Sequence, residues 1–442
     1  MAAPVPTPKA ILRGHKAAVH ATEFLWRNER LASGDAEGYI VIWDVSIMRP
    51  KAVWRAHESA ILGIKAWGPD KIITHGRDHK LIVWKLEAGD EKGLSAALPV
   101  EEVAAKRPQP WMTNLLEVNT MNFCAFGVCS RIATDQGIGS ASSILVTVPN
   151  TLASEAIDIY EVPSQSRIHT VQPGKGNGMA MSLVLFHHQE TLTLLAGFEN
   201  GYASVHRLLE NGIWITTYRS QAHSQPILSL DIHPSCESFI TSSADSIIAK
   251  HPIPTTQQEV PAPFDPSNRI IEEIEASGET SPSLLSAGLK KQPAQNTSSS
   301  TSTWKEWEHP LKVVNTKHAG QQGLRLRSDG RIFATAGWDT KIRIYSAKTM
   351  KELAVLQWHK VGCYAVAFAN VKTADPSSSD STGDTGSQSQ NVDETLTQAM
   401  VNTTGNRGQQ TSVALRRISQ ARTTHWVAAG AKDGKISLWD MY

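Results

Sequence analysis

The sequence predicts an all-β fold, a seven-bladed β-propeller, and three observations carry that prediction. One strand-entry pattern recurs along the chain. A histidine and a small hydroxyl residue travel with it at a near-constant distance. The length outside two polar segments matches seven copies.

The pattern appears five times. It reads "SGDAEGYIVIWDV" at 33–45, "HGRDHKLIVWKL" at 75–86, "SSADSIIAKHPI" at 242–253, "AGWDTKIRIYS" at 336–346 and "GAKDGKISLWDM" at 430–441. Each copy has an acid, then an alternating run that closes on an aromatic or His. The pairs are Glu37 and Trp43, Asp78 and Trp84, Asp245 and His251, Asp339 and Tyr345, and Asp433 and Trp439, six residues apart each time. Alternation of this kind is the period of a half-buried strand. A fixed repeat of it signals a repeat architecture.

His15, His57, His223 and His318 each lie about 20 residues before the acid, and 27 or 28 before the strand end. Ser33, Thr74, Thr241 and Thr335 lie four residues before the acid. This His, Ser/Thr, Asp, Trp set resembles the WD40 repeat, whose signature is Gly-His near the start and Trp-Asp at the end. The resemblance implies blades of four antiparallel strands. It also implies a buried network in which the acid accepts from the His, and the His reaches the hydroxyl and the indole N–H. A buried polar set needs every member satisfied. The rival reading is a hydrolase triad. An active site does not recur blade after blade, and no G-x-S-x-G turn is present.

Composition narrows the function classes. The chain has 442 residues, a formal net charge of +1 and 40% hydrophobic residues. Near-neutral charge supplies no general field for nucleic acid or membrane surfaces. Cys124, Cys129, Cys236 and Cys363 form no C-x-x-C pair and read as thiols of a reducing compartment. No run of 18 apolar residues marks a membrane helix. The start, "MAAPVPTPKAILRGH", lacks the layout of a signal peptide. The expectation is an intracellular protein with no cofactor and no metal.

The elements follow in order. Blade one runs from "ILRGHKAAVHATEFL" and turns at "RNER"; blade two turns at Gly68-Pro69-Asp70, a sequence suited to a reverse turn. Residues 85–113 are polar, include "KRPQP", and read as an insertion between blades. Blade three is degenerate: "LLEVNTMNFCAFGVC", "SSILVTVPN" and "AIDIYEV" have strand character but lack the His and acid marks. Blade four is "GMAMSLVLFHHQETLTLLAGFENGYASVHRL", with Asn200 six residues before His206. Blade five turns at His233-Pro234-Ser235 and blade six at Asp329-Gly330. Blade seven starts at "LQWHKVGCYAVAFAN" and ends the chain.

Residues 252–310 and 371–423 are rich in polar and turn-forming residues and read as disordered inserts, the second lying within the last blade. Roughly 330 residues remain, seven blades at about 40–45 each plus the insertion at 85–113. One propeller therefore spans 1–442. The first repeat opens with a strand near Ile11 that has no partner of its own. The last repeat ends at 435–440 without an outer neighbour. Pairing the two closes the ring and removes an edge.

The opening "LRGHKAAVHATEF…LASGDAEGYIVIWDV", the continuation "WRAHESAILGIKAW…ITHGRDHKLIVWKL", "FENGYASVHRL" and the terminal "VAAGAKDGKISLWDMY" resemble the ASTRA-associated protein 1 family, and more distantly G-protein-β-like WD repeat proteins. Departures exist. Gly precedes the repeat His only at His15, and Ala429 stands where blade seven should carry a hydroxyl. The resemblance implies a non-catalytic scaffold subunit of a nuclear assembly, ASTRA. That assembly is linked to chromatin remodelling and to a co-chaperone for phosphatidylinositol-kinase-related kinases. The implied partners are other protein subunits, with the chain monomeric inside a hetero-oligomer and with no direct nucleic-acid or membrane contact. The implied place is the nucleus, with the cytoplasm second. The alternative function is a WD40 substrate receptor or histone-peptide reader, which should show an acidic or aromatic-lined central mouth; a constitutive subunit should show a larger apolar patch on a rim or face.

The residue before each turn acid faces the top surface in such propellers. That makes Arg77, Trp338 and Lys432 the candidate partner surface, with Trp338 as a binding anchor; packing of Trp338 on a neighbouring loop, and plain solvation of the two cations, stay open. Trp358 is expected to pack between blades. "LRRISQAR" at 415–422 reads as a solvated loop end, a basic-directed kinase site at Ser419 or an import patch.

Overall fold

The computed structural model describes residues 6–87, 89–101, 106–119, 123–133, 138–153, 155–260, 303–371 and 408–441. Among them are seven antiparallel four-stranded sheets. Their inner strands are Val19–Leu25, Ile61–Trp67, Gly127–Ser130, Ala180–His188, Ile227–Ile232, Gln321–Leu326 and Cys363–Phe368. These pack against one another in sequence and line a central channel of about 970 Å³.

The ring closes as the strand arithmetic predicts. Ala10–Arg13 is the outer strand of blade seven, in register Ala10 to Leu438 and Arg13 to Lys435. Blades stack face to face, so their middle strands bury both faces. Tyr39–Asp44 shows the result: Val41 and Trp43 join Leu12, Val19 and Leu438 toward blade seven, while Ile40 and Ile42 join Trp54, Ile61 and Trp84 toward blade two. This explains the unbroken apolar run "YIVIW". The turns before such strands press on the next blade. A Cβ on Gly38, at φ +84°, would stand 2.0 Å from the carbonyl oxygen of His57, and one on Gly434, at φ +75°, 2.3 Å from that of His15. Only glycine fits there.

Four expectations change. The segment read as an inter-blade insertion at 85–113 lies inside blade two, because Trp111–Glu117 is that blade's outer strand. Leu115 and Leu116, read as the start of blade three, therefore belong to blade two. The inserted residues strap blade one: Val53 N–H donates to Ser95 O, Val100 N–H to Gly14 O, and Arg30 holds the buried Glu91 carboxylate at 2.8 and 2.9 Å. Second, the range 252–310 is ordered at both ends. Gln258–Val260 pairs with Thr303–Lys305, and Trp307 exchanges backbone hydrogen bonds with Thr217 and Arg219 on blade four's outer strand. Third, the range 371–423 ends in an α-helix, Gly408–Thr423. Fourth, "LRRISQAR" lies in that helix and is not a loop end. The remainder of the two inserts, 261–302 and 372–407, lies outside the described residues. Trp358 is half-buried against the core between blades six and seven, as expected.

Candidate functional site

The repeat polar residues assemble as predicted in blade two. His57 Nδ1 lies 2.8 Å from Asp78 Oδ1, His57 Nε2 lies 2.8 Å from Thr74 Oγ1, and Trp84 Nε1–H donates to Thr74 Oγ1 at 2.8 Å. With the ring protonated at Nδ1, all the donors point one way: indole to hydroxyl, hydroxyl to imidazole, imidazole to carboxylate. Burial alone would raise the Asp78 carboxyl, but hydrogen bonds from His57 and from the Glu58 N–H hold it below its ordinary value. In blade five, His223 reaches Thr241 at 2.7 Å and Asp245 at 3.2 Å, and His251 takes the Trp place at 2.9 Å from Thr241. His251 in turn bonds the Tyr218 hydroxyl of blade four at 2.7 Å.

Blade one corrects one assignment. Its acid is Asp35, 2.7 Å from His15 Nδ1, and not Glu37, which is exposed. Ser33 and Trp43 take their predicted parts at 2.7 and 2.8 Å. The alignment explains the slip. Asp35 stands where blade two has Gly76, whose Cβ would meet His57 Nδ1 at 2.4 Å. A carboxylate thus reaches the imidazole from either of two positions. Asp35 also accepts from the Glu37 and Tyr39 N–H groups, and that local turn is the signal that marks it.

Blades six and seven depart further. In blade six the predicted set His318, Thr335, Asp339 and Tyr345 does not connect. Arg343 donates to Asp339 at 2.6 and 3.1 Å, while His318 is 40% exposed and 3.7 Å from that carboxylate. The cause is the residue facing the hydroxyl across the sheet. It is Val41, Ile82 and Ala249 in blades one, two and five, but Arg343 in blade six. The guanidinium fills the acid's reach. In blade seven, Asp433 pairs with Lys435 at 2.6 Å instead of the His. The missing hydroxyl comes from Ser437, the register partner of Ala429, and Ser437 bonds His359 at 2.8 Å and accepts from Trp439 Nε1–H at 2.8 Å. Blade four uses the same exchange: Ser204 faces Ala196 and lies 2.6 Å from His206. His359, Ser437, Ser204 and Arg343 were absent from the predicted set. A search for hydroxyls on the following strand would have found the two serines.

These networks leave no reactive group. The side chains of Ser33, Thr74, Thr241 and Ser437 are buried, each already held by an imidazole and an indole or second imidazole.

The accessible feature is the channel mouth on the top face. Six inner strands carry a bulge near their first residue. Each bulge turns one extra side chain inward: His20, Leu62, Met181, Leu228, Gln322 and Tyr364 all line the channel. His20 stacks on Tyr364 at 5.4 Å and 10°. Burial lowers the His20 pKa below its ordinary value. Phe123 is 60% exposed at the mouth, with the Arg77 guanidinium 4.3 Å over its ring. Trp338 is 47% exposed, lies over Gly320, and donates its indole N–H to Gln322 at 2.8 Å. It is thus both seated on its own blade and open to solvent. Lys432 is exposed on the same face, and neither it nor Arg77 lines the channel itself. Deeper in, Lys65 pairs with Glu23 at 3.0 Å, and burial raises the Asp231 carboxyl although Arg325 lies nearby.

Among the described residues no helix is long and apolar enough to cross a membrane, and no group of three His, Cys, Asp or Glu side chains is placed to hold a metal ion. A family model described as "WD domain, G-beta repeat" matches residues 6–44, 214–249, 311–346 and 403–440. The chain is similar over its length to curated relatives named ASTRA-associated protein 1. Identity is 49% to that of Verticillium alfalfae, covering 99% of this chain and 93% of the relative. It is 46% to that of Pyricularia oryzae, covering 100% and 99%. It is 30% to that of Schizosaccharomyces pombe, covering 82% and 94%. The chain belongs to the ASTRA-associated protein 1 family.

Proposed function

We propose that the protein is a non-catalytic scaffold subunit of the ASTRA complex, acting in the nucleus. Its work would be tied to chromatin remodelling and to the co-chaperone of phosphatidylinositol-kinase-related kinases. The observation that carries this reading is the fate of the repeat polar residues. Every hydroxyl that resembles a nucleophile is sealed between blades, while an aromatic rim with Trp338 and Phe123 stays open. Family membership over nearly the full length supports the assembly named. Open aromatic anchors on a rigid ring suit a surface that holds other proteins. Affinity purification of the tagged protein with mass spectrometry tests the reading. Stoichiometric ASTRA subunits are expected in the eluate, with the protein in the nuclear fraction. An eluate without them removes the proposal.

One observation favours the peptide-reader alternative. The mouth is lined by aromatic side chains, including the His20–Tyr364 stack. A reader would lose its peptide on Tyr364→Ala, with the other subunits retained.

A further inference from the structure

We propose that Ser419 is a phosphorylation site for a basophilic serine/threonine kinase, and that the phosphate loosens the helix Gly408–Thr423 from the propeller. Two observations lead there. Arg416 and Arg417 stand three and two residues before Ser419, and all three side chains are exposed. Paired guanidinium groups just ahead of a serine suit an acidic kinase cleft, because carboxylates grip them in fork geometry.

The second observation is where the serine sits. It lies one turn ahead of the contacts that fasten the helix to the bottom face. Ala421 is 2% exposed, and its carbonyl accepts from Trp426 Nε1–H at 3.1 Å. Asn28 Nδ2–H donates to Arg422 O at 3.2 Å. Arg422 donates to Glu29 Oε1 from Nε at 2.8 Å and from Nη2 at 2.5 Å. The earlier turns are looser. Val413 and Leu415 are exposed, and a cavity of about 580 Å³ lies between Val413, Arg417 and Ile418 on the helix and Asp44, Ile47 and Lys51 on blade one. The stretch 416–419 therefore opens into a kinase cleft without breaking a blade.

In the reaction, Ser419 Oγ bonds to the γ-phosphorus of ATP as the bond to the β,γ-bridging oxygen breaks. ADP leaves with that electron pair, and the hydroxyl proton passes to the kinase's base. The product carries a charge of about −2 at pH 7. Positions three apart are neighbours on a helix surface, so the phosphate faces Arg416 and Arg422. It draws Arg422 from Glu29. It also places negative charge near the helix C-terminus, where the dipole opposes it.

The test uses the full chain, ATP and the catalytic subunit of the cyclic-AMP-dependent kinase, with a peptide of residues 412–423 beside it. Phosphate is expected on Ser419 of both, and at that position on neither when Ser419→Ala is present. Amide exchange over 412–423 is expected to rise about tenfold relative to Ser419→Ala taken through the same reaction, with the blades unchanged. Glu29→Gln should reproduce part of that rise without phosphate. A modified peptide beside an unmodified protein overturns the accessibility of the site. An unmodified peptide overturns its recognition. A phosphorylated protein with unchanged exchange overturns the loosening.

Discussion

At the scale of single residues, blades one, two, five and seven each carry a small buried polar chain, and its energetics follow from burial. Asp78→Ala leaves His57 without its buried acceptor and is expected to cost about 1–3 kcal/mol, read from denaturant midpoints; an unchanged midpoint would show that the network contributes nothing. Blade one allows a sharper contrast. Asp35→Ala should cost a similar amount, whereas Glu37→Ala should stay within about 0.5 kcal/mol; the reverse order would return the acid's role to Glu37. Burial pushes His75 and His206 down to about 3 and His359 down to about 4. Their folded values lie below the unfolded value of 6.5. Between the two, the unfolded chain binds more protons, so stability is full above pH 6.5 and falls as pH drops. Each of these histidines contributes a slope approaching about 1.4 kcal/mol per pH unit once the pH is well below 6.5. Urea midpoints should therefore fall from pH 7 to pH 5, and a flat profile would contradict these buried neutral rings. Ser33, Thr74 and Thr241 were legible in the sequence because they share one spacing. Asp35 and Ser437 were not, because the same atoms arrive from a different position on the strand. Arg343 was hidden for another reason: spacing along one strand says nothing of the residue facing it on the next.

Among the elements, strands were legible and edges were not. Alternating runs such as "YIVIW" and "KISLW" announce buried middle strands. Outer strands such as Trp111–Glu117 are half solvated, with a burial pattern too mixed to separate from a linker. The polar segment around Glu91 read as an insertion because its ordering contacts are distant in sequence: Arg30 is 61 residues from Glu91, and Val53 and Gly14 hold Ser95 and Val100 through backbone hydrogen bonds. That segment now covers the edge of blade one, as Trp307 covers blade four and the helix Gly408–Thr423 fastens to the turn at Asn28 and Glu29. Covered edges resist pairing with other chains. Arg30→Ala should therefore release the strap, seen as faster amide exchange at 89–101; unchanged protection would place its stability elsewhere. Deleting 375–405 should change stability by less than about 1 kcal/mol, because closure entropy grows only logarithmically with loop length. A larger loss would mean that the segment packs on the ring.

For the whole molecule, closure and surface are the two properties that matter. Pairing of Ala10–Arg13 with Lys435–Asp440 joins the chain ends across the last blade. Removing residues 1–14 also takes Gly14, over which the blade-two strap passes, and is expected to abolish soluble expression. A truncated protein that melts cooperatively at the parent temperature would contradict the closure argument. The closed ring presents its turns as a fixed top face, and the bulges of six inner strands furnish the channel mouth. Partners are expected to be held on that top face. The most direct measurement is co-precipitation of the assembly by a variant carrying Trp338→Ala, Arg77→Glu and Lys432→Glu, with circular dichroism and melting as folding controls. Loss of a central aromatic anchor commonly costs about 2 kcal/mol or more, roughly a thirtyfold fall in affinity. The expected result is a folded variant that loses its partners while the unaltered protein retains them. Full recovery of partners by a well-folded variant would contradict it.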